Sequence, residues 1–157
     1  MLLNKIAIKK ILKDDVKSAV FEALKLINAQ SLFTKSNMNI LIKPNLLMPK
    51  NPERAVTTHP AVIKAVIQWI KQFHPKKIIV AESSGTNTRG LTEKAFNECG
   101  VRAVCEEEGI DWIPFEKTKL KFYKVKRPLV LKKFPASILL EEVDLIVNIP
   151  KIKTHRQ

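Results

Sequence analysis

Three stretches decide the fold: Asn39–Leu47 (NILIKPNLL), Lys76–Glu82 (KKIIVAE) and Asp144–Ile149 (DLIVNI). Within them Ile40–Ile42, Ile78–Val80 and Leu145–Val147 are apolar without alternation, so both faces of each strand must be covered. Runs of this kind belong to parallel sheets with helices packed above and below. Pro44 cannot donate to a sheet ladder, which ends the first strand near Lys43. Ser83-Ser84-Gly85 stops the second.

Helical patterns fill the intervals. Asp14 and Asp15 offer N-cap chemistry, and Val16, Ala19, Val20, Ala23, Leu24 and Ile27 form a stripe predicting a helix to about Leu32. Thr58 as cap and Pro60 in the first turn open a helix carrying Val62, Ile63, Val66, Ile67, Trp69, Ile70 and Phe73. Thr92 caps a helix through Ala95, Phe96 and Cys99, stopped by Gly100, and a short helix Val101–Glu108 ends at Gly109. Further strands are expected at Lys5–Ile11 (KIAIKKI), Ile110–Phe115 and Leu129–Phe134, with a helical turn over Ala136–Glu142. The expected architecture is a single, Rossmann-like α/β domain over residues 1–157. It has three layers: a mostly parallel open sheet with helices on both faces, plus a basic β excursion near 117–134. No repeat, low-complexity tract or linker divides the chain.

The formal charge of +13 raises the question of a polyanionic partner. Much of the excess lies in Lys117–Lys133, where eight basic residues occur with no acid. Lys117, Lys119 and Lys121 alternate with Thr118, Leu120 and Phe122, the period of a strand with one solvated face. Lysine on an edge strand also blocks edge-to-edge aggregation. The alternative is non-specific nucleic-acid binding through Lys117–Lys133, for which only Phe122 and Tyr123 offer stacking surfaces. Cys99 and Cys105 flank Gly100 in helical sequence and read as two buried free thiols. No CxxC pair exists from which to build a zinc site or an iron–sulfur cluster. The N-terminus lacks a signal-peptide core and no stretch has the roughly 18 apolar residues of a span, so a cytoplasmic location without a membrane partner is expected.

In open α/β sheets, ligands bind just past the C-terminal ends of the strands. The first strand leads into Lys43 and Asn45 and then Thr57, Thr58 and His59. The second leads into Glu82, Ser83 and Ser84, and the last into Lys151, Lys153 and His155. Lysine ammonium groups suit carboxylate or phosphate, and hydroxyls with free N–H groups at helix starts form anion cradles. Glu82 is the one carboxylate of the set and a natural partner for a cation. These eleven residues are the candidate site for a small anionic ligand. GxGxxG, GxxxxGK[ST] and GxSxG spacings are absent, which removes the usual nucleotide-loop and nucleophile-elbow readings. The alternative is a metal site on His59 and His155, with Glu82, suited to zinc, iron or nickel. The leading reading assigns no metal and no cofactor to this chain.

The strings LIKPNLL (Leu41–Leu47), AVTTHPAVIKAVI (Ala55–Ile67), KKIIVAESSG (Lys76–Gly85) and VDLIVNIPKIKTH (Val143–His155) together resemble the family catalogued as domain of unknown function 362. The resemblance implies a domain widespread in bacteria and archaea, often joined to a ferredoxin-type module with two four-iron clusters. It therefore implies iron–sulfur clusters in longer relatives and a redox or metal-dependent enzyme in full-length members. Members normally continue past the Lys-x-Lys-Thr-His string, so the stop at Arg156-Gln157 implies a truncated part of a longer domain. Self-association through a surface left by the missing segment is then expected.

Overall fold

The computed structural model describes residues 5–85 and 90–154. Its core is a four-stranded sheet of β1 (Asn39–Pro44), β2 (Lys77–Glu82), β3 (Asp111–Pro114) and β6 (Leu145–Ile149), in the order β3-β2-β1-β6. All three pairings are parallel, as the uninterrupted apolar runs predict. The central residues Ile40, Leu41 and Ile42 are at most 1% exposed.

One face carries α1 (Val16–Leu26), α2 (Pro60–Lys71), α3 (Thr92–Glu98) and α4 (Val101–Glu107). Asp15 starts α1 by accepting the Ser18 N–H at 2.9 Å. His59 starts α2, its Nδ1 accepting the Ala61 N–H, with Pro60 at the first helical position. Ile63, Val66, Ile67 and Ile70 of α2 pack on Ile40, Ile42, Ile78 and Val80 of the sheet. Phe33, Trp69 and Phe73 close the outer edge of this layer, with ring centroids 4.2–5.4 Å apart.

The third layer is thinner. It consists of the one-turn helix α5 (Leu139–Glu142) and an antiparallel ribbon of β4 (Leu120–Lys124) and β5 (Lys133–Ser137). Leu139, Phe115, Ile113 and Val143 pack on Leu41, Ile79 and Ala81 of the sheet's second face. The molecule is thus a three-layer α/β fold whose basic excursion is a two-stranded ribbon.

Several local expectations need correction. Lys5–Ile11 forms no strand, and Ile6 and Ile8 are 90% and 91% exposed. Lys13 and Asp14 both have positive φ and turn the chain directly into α1, so 5–11 runs beside that helix, where Lys9 pairs with Glu22. The first helix stops before Leu32 because Asn28 takes the left-handed conformation, and Ala29–Leu32 forms only a 3₁₀ turn. Leu129–Phe134 is mostly loop, since pairing begins at Lys133 opposite Lys124. The turn expected from Ala136 begins only at Leu139, residues 136 and 137 being held in β5. Thr58 and Thr92 are not caps: His59 and Leu91 take those positions, and both threonine hydroxyls bond across the strand ends instead.

Candidate ligand site at the strand ends

Because β2, β1 and β6 are parallel neighbours, their C-terminal ends lie side by side. The candidate residues fall into two linked groups there. In the first, the Lys43 Nζ donates to Glu82 Oε2 at 2.5 Å, and the Ser83 N–H donates to Glu82 Oε1 at 2.8 Å. Glu82 is only 6% exposed, so these two donors take the place of water at its carboxyl. The Lys43 side chain is 40% exposed and presents its ammonium at the surface. Beside it, the Ser84 N–H donates to Thr92 Oγ1 at 3.0 Å and the two hydroxyls lie 2.9 Å apart.

The second group joins β1 to β6. The Asn45 and Thr58 backbones are bonded through Thr58 N–H to Asn45 O, while the Asn45 N–H donates to the Thr58 hydroxyl. That hydroxyl donates in turn to the Ile149 carbonyl at 2.7 Å. Lys153 donates to the Asn45 side-chain oxygen. Burial, with the charge of Lys151 nearby, holds the Lys153 ammonium below the usual lysine pKa. An anion placed here would relieve that cost.

The remaining candidates stand apart from these groups or play other parts. His59 caps α2 and its Nε2 lies 3.3 Å from Glu53 Oε1. The Thr57 hydroxyl is buried without a hydrogen-bond partner among the described residues. His155 lies outside the described residues. Among those described, no three His, Cys, Asp or Glu side chains gather as a metal shell requires.

The loops after β1 and β2 touch at Gly85, whose N–H donates to Leu47 O at 3.0 Å. A Cβ on Gly85 would sit 2.9 Å from Leu47 Cδ1, so this contact needs glycine unless Leu47 moves.

Between the second sheet face and the ribbon lies a cavity of about 680 Å³, lined mainly by apolar atoms. Leu41, Ile146, Phe115, Leu120, Pro135 and Leu140 supply the walls, and the polar lining includes Lys43, Ser83 and Ser84 from the strand ends and the carboxylate Glu116. Lys43 and Ser83 follow Leu41 and Ala81 at two-residue spacing, which turns them to the same face. The cavity is left where the thin third layer, a ribbon and one helical turn, spans the sheet's second face. Sequence reasoning missed the wall residues on the ribbon. Period two along β1 and β2 could have selected Leu41, Lys43 and Ser83 together, but nothing local says that residues 120 and 135 fold over them.

Residues 40–157 match the family described as "Domain of unknown function (DUF362)". The chain belongs to the DUF362 family. It is also similar to the thylakoid-associated protein sll1697 of Synechocystis sp., at 25% identity over 132 residues, 80% of this chain and 36% of that protein. The chain therefore spans about a third of that relative's length. No solved structure matches it.

Proposed function

We propose that this DUF362 chain binds a small organic acid, its anionic end at Lys43, Ser83 and Ser84 and its apolar part in the cavity beneath the ribbon. The supporting observation is the cavity itself: its volume falls within the roughly 300–1,000 Å³ of small-molecule sites, and a cation marks one end of apolar walls. Lys43 and Glu116 are the charged residues among those that line the cavity, and Lys151 and Lys153 follow at the neighbouring end of β6, so the surroundings of the strand ends are positive on balance. Lys43 has three ammonium protons and uses one on Glu82, so others remain for a ligand carboxylate. In longer family members such a unit would fix the charged end of a substrate for a redox or metal-dependent enzyme.

Thermal melting with octanoate, 2-naphthoate, acetate and octanol tests the reading. Octanoate or naphthoate should raise the melting temperature, whereas acetate lacks the apolar body and octanol lacks the charge. Glu82→Gln removes the competing carboxylate and should tighten acid binding by roughly tenfold, the order of one partly screened charge interaction. Lys43→Met should abolish the shift and also cost about 1–3 kcal/mol, because buried Glu82 loses its cation. The double variant Lys43→Met/Glu82→Gln should recover stability without recovering binding. Acid-induced stabilisation that persists in the double variant would overturn the proposal, as would none in the wild type.

A further inference from the structure

We propose that the tip of the β4–β5 ribbon docks the protein on an anionic lipid bilayer, with Leu129, Val130 and Leu131 entering the interface beneath a collar of cations. These three consecutive aliphatic side chains are 101%, 91% and 60% exposed. A contiguous apolar projection of this kind has no role in the core and marks an interaction surface. The Val125 N–H donates to Lys132 O at 3.0 Å, which closes the loop and holds the three side chains at the end of the ribbon.

The collar points to an anionic partner independently. Lys124 and Lys133 are directly opposed in the antiparallel register. Like charges so placed destabilise the pair; the Lys133 ammonium over the Phe122 ring at 5.1 Å offsets part of that cost, and an anion beside the two would offset more. Lys126, Arg127 and Lys132 extend the same positive ring, and no acid occurs from 117 to 133. Each such cation near an anionic surface adds to membrane affinity, and aliphatic side chains add burial in the headgroup region.

Other partners fit less well. Nucleic acid needs stacking surfaces, but the tip is aliphatic, Tyr123 lies against Phe134 with ring centroids 5.8 Å apart, and exposed Phe122 has the Lys133 ammonium over its ring at 5.1 Å. A stable protein interface needs about 1,000 Å² or more, which three side chains on a convex tip do not supply. A bilayer needs no matching shape. Among the described residues no helix is long and apolar enough to cross a membrane, and docking at the interface requires none.

Cosedimentation with phosphatidylcholine vesicles, with and without phosphatidylglycerol, tests the proposal. Binding is expected only with phosphatidylglycerol and should weaken as salt rises. Leu129→Asp/Val130→Asp and Lys126→Gln/Arg127→Gln should each weaken it by roughly tenfold or more, with unchanged melting temperatures because these side chains face solvent. No binding at low salt would overturn the proposal, as would binding that the aspartates leave unaltered. So would a wild-type dimer abolished by the aspartates, or tighter binding to oligo(dT) than to the vesicles.

Discussion

Glu82 and Cys105 are both buried, and their neighbours differ. The Glu82 carboxyl accepts from the Lys43 Nζ and the Ser83 N–H. At Cys105, burial first, and Glu106 second, push the thiol up to about 12. Its thiol should therefore stay protonated and inert in the native protein. Cys99 is fully buried, with its thiol donating to the Lys50 carbonyl at 3.3 Å. Maleimide labelling at pH 8 should be negligible in the folded protein and reach both thiols in denaturant. Raising the pH should also destabilise the fold. The contribution from Cys105 is whole below the ordinary thiol value of 9.0 and fades between there and about 12, as the unfolded chain alone loses its proton. That these cysteines were core residues was legible from their helical context. That Glu82 would partner one of the strand-end lysines was legible too; that the lysine is Lys43, 39 residues away, follows only from the β1–β2 register.

At the scale of elements, the start of β6 is fastened to β1 by one carboxylate. Asp144 accepts from Lys35 Nζ at 2.7 Å and from the Asn39 N–H at 2.8 Å, and both bonds hold its carboxyl below the usual aspartate range. A depressed native pKa contributes stability above the ordinary value of 3.8 that is lost as the pH falls through the native one. Asp144→Asn should therefore lower the melting temperature at neutral pH and flatten its decline in acid. The helices and parallel strands were readable from apolar periodicity, since burial on one stripe or on two faces leaves a local trace. Lys5–Ile11 has the alternation of a strand but pairs with no strand of either sheet and runs beside α1 instead, since alternation alone does not fix a partner. The ribbon's strands slipped toward the C-terminus for a related reason. Cross-strand partners fixed the pairing, and Pro135, which has no N–H to donate, is tolerated there because a two-stranded ribbon has free edges.

For the whole molecule, the ends of β2, β1 and β6 were predicted to meet from their common direction, and they do. The cavity was not foreseen, because it depends on the distance between two layers rather than on the identity of any one residue. The strand order has a kinetic consequence. β1 pairs with β2 after a connection that α2 shortens, but it pairs with β6 only when Asn39 meets Asp144, 105 residues away. Chain closure over that span costs entropy before any contact repays it. Refolding should assemble β1, α2 and β2 first and add β6 last. Val147→Ala should then mainly accelerate unfolding, whereas Val80→Ala should mainly slow folding, a contrast that stopped-flow chevrons would resolve. The same sequence of events leaves the flank of β1 open to water in the last intermediate, so aggregation during refolding should rise with protein concentration and fall when β6 is strengthened.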